Sequence, residues 1–374
     1  MERTKLLEKY FLYRTNLLKS EPINLEELIY LEMRDKAKMM KTSLPIAIGL
    51  KITDKCNFKC EHCFVEKKVL KDMSMKVVKD ILDGFGNSLP YRIYLTGGEP
   101  FLNPNIMDII KVIKEKHIFM SIHTNGSLLT EEIVKQLKQF FTSKDYLQIS
   151  VDAADDKLFE EIRRGGNLFE IICNCQKLKS AGIRFILNTV VSNKNVDGLR
   201  EVYKLAEHIG AEQINFSPLM DLEFVKNIFL PSDGDLLNAF LDVLEYHFNS
   251  GCPVKIKQDP LPVPWGNNEL NPFLCKSPLI CAAGKTEAEI DMYGNMYLCP
   301  FLYESEFCMG NVLEQGLKKV WQNEKFVTFS RKKWSENILC KSCNSYDTCN
   351  SGCIAYAIRK NMDCDGRCTK QLVK

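Results

Sequence analysis

The sequence predicts an α/β protein built on a parallel sheet, open or partly closed as a barrel. Three observations carry that prediction. Six short apolar runs of strand length lie between residues 45 and 216, and each is followed by a stretch with helical spacing. Polar motifs stand directly after several of these runs, where the loops of a parallel α/β sheet form the working face. The chain has 374 residues, 45% hydrophobic and 26% charged, enough for one large or two medium domains of ordinary soluble composition.

The elements follow in order. Residues 1–44 read as helices, with Leu6, Tyr10, Tyr13 and Leu17, then Leu25, Leu28, Leu31 and Met33, at or near helical spacing. Pro45–Ile52 is an apolar strand leading into a cysteine loop, followed by a helix over about Ser74–Phe85. Tyr91–Leu95 and Ile118–His123 are the next two strands, with a helix at Asn105–Lys116 between them. Thr130 opens a helix that runs to about Phe141. Tyr146–Val151 is the fourth strand, and Asn167–Ser180 is a helix closed by Gly182. Ile183–Val191 and its helix Val196–Ile209 follow, then the sixth strand, Gln213–Phe216. Alternating strands and helices of this kind pair in parallel. Ser232–Asn249 is a further long helix. Residues 253–272 carry Pro260, Pro262, Pro264, Gly266 and Pro272 and read as a linker.

Composition narrows the function. A formal net charge of +2 gives no argument for nucleic acid or an acidic membrane surface. No run of eighteen apolar residues indicates a membrane span, and residues 1–19 have no signal-peptide core. A cytoplasmic location is expected. Sixteen cysteines are the anomaly. They are grouped: three at 56–63, two at 173 and 175, ten from 275 to 368, and Cys252 alone. In a long chain of this kind such grouping points to iron–sulfur or zinc sites rather than a disulfide scaffold.

Cys56, Cys60 and Cys63 stand at spacing C-x3-C-x2-C after the first strand. Three thiolates on a 4Fe-4S cube leave one iron open to a small molecule. A zinc knuckle or three unrelated core cysteines would be the plainer readings. Knuckles use two C-x2-C pairs or one pair with histidines, and no second pair lies nearby. After the second strand comes Thr96-Gly97-Gly98-Glu99-Pro100, whose glycines let the backbone approach a ligand closely or simply make a tight turn. Thr124-Asn125-Gly126 ends the third strand and resembles a common turn. Ser150 and Asp152 share one face at the end of the fourth, and as a buried polar pair they need partners such as ribose hydroxyls. Arg163 and Arg164 precede a Gly-Gly; either could grip a carboxylate or sit exposed at a helix end.

C-x3-C-x2-C after a first strand, with Gly-Gly-Glu-Pro after the second, resembles the radical S-adenosylmethionine (SAM) superfamily over about residues 45–220. The resemblance implies a partial (β/α)6 TIM-like barrel. It implies that Cys56, Cys60 and Cys63 hold a 4Fe-4S cluster whose open iron chelates SAM. Gly97, Gly98 and Glu99 would bind the SAM amino group, with Thr124 and Asn125 in the next loop as further cofactor contacts. Ser150, with Asp152, would contact the ribose, and Arg163, or Arg164 in its place, would contact the carboxylate. His62 fills the position near the adenine. Reductive cleavage of SAM would then give a 5′-deoxyadenosyl radical that removes hydrogen from an unactivated C–H.

The later cysteines run Cys275-x5-Cys281, then Cys299, then Cys340-x2-Cys343-x5-Cys349-x3-Cys353, then Cys364 and Cys368. One or two structural zinc sites would also use such pairs. The full pattern resembles the SPASM extension of sulfatase-maturing and pyrroloquinoline quinone enzymes, and Met309–Trp321 resembles its linking segment. That resemblance implies two auxiliary 4Fe-4S clusters, three in all. One would use Cys275, Cys281, Cys299 and Cys353; the other would use Cys340, Cys343, Cys349 and either Cys368, in an Asp-x-x-Cys ending, or Cys364. The implied layout is an N-terminal helical segment (1–44), a radical SAM core (45–250), a linker (251–274) and a SPASM domain (275–374). Of the remaining cysteines, Cys175 falls on an apolar helical stripe and reads as core.

The function these readings favour is a radical SAM maturase that oxidises or crosslinks a side chain of a ribosomally made precursor peptide, with a flavodoxin- or ferredoxin-type electron donor as partner. Formylglycine formation in a sulfatase and dehydrogenation of a small molecule are the alternatives within the class. A zinc-binding interaction protein is the alternative outside it.

Overall fold

A computed structural model describes residues 3–20, 42–64, 70–220, 228–258, 260, 281–324, 342 and 353–359. The strands, in chain order, are β1 (Ala47–Thr53), β2 (Lys59–Cys60), β3 (Arg92–Gly97), β4 (Phe119–Thr124), β5 (Tyr146–Ser150), β6 (Arg163–Arg164), β7 (Phe185–Val191), β8 (Gln213–Pro218), β9 (Lys255–Gln258), β10 (Glu287–Ile290), β11 (Asn295–Tyr297) and β12 (Gly310–Asn311). Ten of them form one sheet in the order β12-β11-β10-β1-β3-β4-β5-β7-β8-β9. From β10 to β9 every neighbouring pair is parallel. The six strands expected from the sequence are β1, β3, β4, β5, β7 and β8, and helices cross between them as anticipated. The architecture is a partial TIM-like barrel with a cysteine-rich region attached.

Local chemistry sets the helix boundaries. Ser74, Thr130 and Asn167 each accept a backbone N–H of the first turn that follows, at Val77, Ile133 and Glu170. Gly182 and Gly210 end the helices Leu168–Ala181 and Leu199–Ile209 in left-handed conformations, at φ 66° and 80°. In the helix Leu199–Ile209 the apolar positions Leu199, Val202, Tyr203, Ala206 and Ile209 are buried against the sheet, and the other side is solvated. Cys175 is fully buried in the core, as its stripe predicts.

Two features differ from the sequence reading. Residues 255–258, expected within a linker, form β9 and extend the sheet beside β8. The signal was the alternation of buried Val254 and Ile256 with Lys255 and Lys257, masked by the prolines that follow. The two-stranded ribbon β2–β6 was also unforeseen; it pairs Cys60 with Arg163 and Lys59 with Arg164.

The N-terminal helix, Arg3–Ser20, buries Leu6, Leu7 and Tyr10, and Tyr10 meets Phe240 of the helix Asp233–Ser250 edge-on at 5.1 Å. The rest of the expected N-terminal helical segment, 21–41, lies outside the described residues. The cysteine-rich region shares the barrel's core. Its strand β10 lies directly against β1, and Trp321, fully buried, donates from Nε1 to the carbonyl of Thr42 at 2.7 Å. Among the described residues no helix is long and apolar enough to cross a membrane.

Candidate active site

The loop after β1 is held from three sides. Its short strand β2 pairs with β6. The backbone N–H groups of Gly98 and Glu99 donate to the carbonyls of Thr53 (2.9 Å) and Lys55 (2.7 Å). Asn57 exchanges side-chain bonds with Asn125 (2.9 Å) and Ser127 (2.8 Å). Cys56, Cys60 and Cys63 all line one cavity of about 740 Å³. Gly98 is required here. A side chain on it would overlap the Lys55 carbonyl and press on Cys56 Cβ, so the glycine pair lets two loops close together beside the thiols. Burial pushes the Cys60 thiol up to about 11, with Arg163 as the opposing influence.

Glu99 is placed differently from the expectation. It is fully buried, and its carboxylate accepts from Thr124 Oγ1 (2.7 Å), Asn125 N (2.8 Å) and Phe101 N (3.1 Å). Its side chain holds the loop after β4 and is not among the residues lining the cavity, whereas Gly97, Gly98, Thr124, Asn125 and Ser150 are. Burial pushes Glu99 up to about 7, past the opposing effect of its three donors.

Asp152 also departs from the ribose reading. It is fully buried, accepts from Val190 N at 2.8 Å, and sets Oδ2 2.7 Å from Arg163 Nε and 3.5 Å from His62 Nε2. Burial lowers His62 to about 4, so at neutral pH the imidazole is neutral and the ion pair is with Arg163 alone. Arg163 lines the cavity and is 6% exposed, with Nη1 3.7 Å from Cys60 Sγ. It is braced between a thiol and a carboxylate. Arg164 points away, to Glu61 at 2.7 Å on the exposed side.

Apart from Ser150, sequence reasoning missed the polar lining of the barrel interior. Arg92, Tyr94 and Thr96 on β3, Tyr146, Gln148 and Ser150 on β5, and Gln213, Asn215 and Ser217 on β8 all face the cavity. The partners between them, such as Ile93 and Leu95, are buried in the wall. A packed barrel fills those inward layers with branched apolar side chains; polar residues at every second position were the available signal. Glu289 of β10 was missed too. It is fully buried, lines the cavity and accepts from Tyr303 Oη at 2.8 Å and from Tyr94 Oη.

Of the second cysteine field, Cys281, Cys299 and Cys353 are described. Burial comes first in raising the Cys281 and Cys299 thiols, and the charge of Cys353, with that of Cys281 on Cys299, acts in the same direction. Cys275, Cys340, Cys343, Cys349, Cys364 and Cys368 lie outside the described residues. Pro300 and Phe301, directly after Cys299, line the same cavity as the first three cysteines, and Phe301 packs on Phe64 at 4.9 Å. Among the described residues no three His, Cys, Asp or Glu close around a single metal ion. A cube, by contrast, takes each thiolate on a different iron and spreads them apart, so a sulfur-only donor set along one cavity wall fits a cluster.

Comparison with known proteins agrees with this chemistry. Residues 50–206 match the radical SAM superfamily model, and residues 281–344 match the SPASM iron–sulfur cluster-binding domain model. The mycofactocin maturase MftC of Mycobacterium tuberculosis is 28% identical over 340 residues, covering 86% of this chain and 81% of that protein. The antilisterial bacteriocin subtilosin biosynthesis protein AlbA of Bacillus subtilis is 23% identical over 325 residues, covering 85% and 69%. Streptococcus suis SuiB bound to S-adenosylmethionine superposes with a TM-score of 0.73 at 20% identity, covering 92% of this chain and 82% of that one. SuiB bound to its precursor peptide SuiA gives 0.72. At that identity the likeness to SuiB is one of fold.

Proposed function

This chain belongs to the radical SAM superfamily and carries a SPASM iron–sulfur domain, and from that premise we propose that it oxidises or crosslinks a side chain of a ribosomally made precursor peptide. One observation carries the proposal. Cys56, Cys60 and Cys63 line the same cavity as Glu287, Glu289, Pro300 and Phe301 of the cysteine-rich region. A substrate beside the first cysteine loop would therefore also touch the segment next to Cys299, where a second electron can leave. The maturases MftC and AlbA among its relatives support a peptide as the substrate.

The enzyme uses SAM and iron–sulfur clusters. When bound at the first loop they supply a 5′-deoxyadenosyl radical that takes hydrogen from an unactivated C–H. We assign the first cluster to Cys56, Cys60 and Cys63. Two further clusters fall to the later cysteines, with Cys281, Cys299 and Cys353 in one of them. Gly97, Gly98, Thr124, Asn125 and Ser150 line the SAM side of the cavity; Glu99 and Asp152 position neighbours from behind. The polar barrel interior orients an extended peptide, and its walls keep bulk water from the reacting carbon. The core runs from 45 through β9, and a partner of the flavodoxin or ferredoxin type would supply the reducing electron.

The test is incubation of reduced, anaerobically reconstituted enzyme with SAM and the peptide of a neighbouring small reading frame. The product peptide is expected to be lighter by about 2 Da, two hydrogen atoms, as a two-electron oxidation requires. An unchanged peptide alongside abundant 5′-deoxyadenosine would count against it.

A further inference from the structure

The cavity that touches the cysteine loop extends to the opposite end of the barrel. Arg92 and Gly97 are the first and last residues of β3 and both line it, so it runs the length of that strand, about 16 Å at about 3.3 Å per residue. The far end is cationic: Arg92, Lys144, Arg184 and Lys257 stand there with one carboxylate, Glu287. Arg184 is matched by Glu212 at 2.8 Å. Arg92 donates instead to the carbonyls of Met120 (3.3 Å) and Lys144 (3.2 Å), and its Cζ stands 5.2 Å from the centre of the Tyr146 ring. Among the described residues no carboxylate pairs with it. A guanidinium has five N–H donors, and the carbonyl bonds use only part of them while fixing its plane. Its charge also reaches the cavity wall. It acts with burial to hold the His123 imidazole down at about 4, so that ring stays neutral at neutral pH.

We propose that Arg92 is a specificity residue that holds a carboxylate of the peptide substrate at this cationic rim. The carboxylate is an acidic side chain or the chain's own C-terminus. The length of β3 places it about four or five extended residues from the residue whose C–H faces the cysteine loop. The inference rests on the maturase reading and names its substrate class. A planar fork with free donors suits a carboxylate, and the half-enclosed site strengthens the contact relative to open water.

Binding is measured by fluorescence anisotropy with three dansylated Gly/Ala heptapeptides. One carries an internal Asp and an amidated end, one carries Asn and a free C-terminus, and one carries Asn and an amidated end. At least one carboxylate peptide is expected to bind about tenfold tighter than the neutral one, an advantage that shrinks as salt is raised. Arg92→Gln abolishes the preference and Arg92→Lys keeps part of it. Lys257→Gln, at an exposed rim position, lowers it by a smaller factor and carries the test if Arg92→Gln does not fold. Equal binding of all three peptides, no binding of any, or a preference untouched by the variants overturns the proposal. SAM cleavage to 5′-deoxyadenosine is assayed alongside. If cleavage is normal and the preference absent, only the rim assignment falls; if cleavage is absent, the maturase reading falls with it.

Discussion

Tyr94 and Glu289 meet across the strand that separates them. Gly49 of β1 is registered with Tyr94 of β3 on one side and Glu289 of β10 on the other, and the phenol donates to the carboxylate over its bare backbone. A Cβ on Gly49 would overlap both the carboxylate and the ring. This contact stitches the cysteine-rich region to the barrel at the cavity wall. Gly49→Ala is therefore expected to cost about 1–3 kcal/mol, the usual range for overpacking. Urea unfolding measures it, and an unchanged midpoint would show that the seam can yield.

Glu289 also predicts a pH dependence. Burial pushes it from 4.5 up to about 7, beyond what its two phenol donors recover, and burial moves Glu99 the same way to about 7. Both folded-state values lie above the unfolded one. Between about pH 4.5 and 7 the folded chain keeps protons that the unfolded chain has released, so stability falls as pH rises through that window and levels off above it. At about 1.4 kcal/mol per unit, a rise of about 2.5 units at each of the two carboxyls makes the combined fall on the order of 7 kcal/mol. Melting curves of the apoprotein should decline across this range, less steeply for Glu289→Gln. Superimposable profiles for wild type and variant would rule out a protonated Glu289.

Much of this was legible in the sequence, and the reasons are physical. The six strands announced themselves through their buried apolar positions: β1 is buried at all seven, while β3, β5 and β8 bury alternate residues such as Ile93 and Leu95, Leu147 and Ile149, and Ile214 and Phe216. The three cysteines and the glycine pair were legible because few other local structures use that spacing. The roles of Glu99 and Asp152 were not, since each depends on which way a side chain turns at a strand end. Glu99 turns back to Thr124 and Asn125, and Asp152 turns to Arg163, a partner brought near only by the β2–β6 ribbon. Glu289 was invisible because nothing in Glu-Ala-Glu-Ile shows that the strand would lie against β1, more than two hundred residues earlier.

The Asp152–Arg163 pair should behave as a buried ion pair. Asp152 is fully buried and Arg163 nearly so, at 2.7 Å. Asp152→Asn leaves a buried guanidinium without its counter-charge and is expected to destabilise the fold by about 3–5 kcal/mol. Replacing both, as Asp152→Asn with Arg163→Met, is expected to cost less than the sum of the two single changes, because the second removes the charge that the first strands. Denaturant unfolding of the four proteins in the cycle measures the coupling. Additive effects would mean that the two groups are held by their surroundings and not by each other.

The two cysteine fields should separate in function. Cys56 sits where Gly98 closes the loops against it, while Cys299 leads into Pro300 and Phe301, which line the same cavity. If they serve different clusters, Cys56→Ala removes about four iron per chain and abolishes 5′-deoxyadenosine formation. Cys299→Ala removes a similar amount of iron but leaves SAM cleavage running, while oxidation of the peptide stops because the second electron has nowhere to go. Iron analysis, the visible absorption of the clusters and deoxyadenosine release, measured on the same preparations, distinguish the two variants. Loss of SAM cleavage in a folded Cys299→Ala protein, as complete as in Cys56→Ala, would mean that the two fields act as one centre and do not divide the reaction between them.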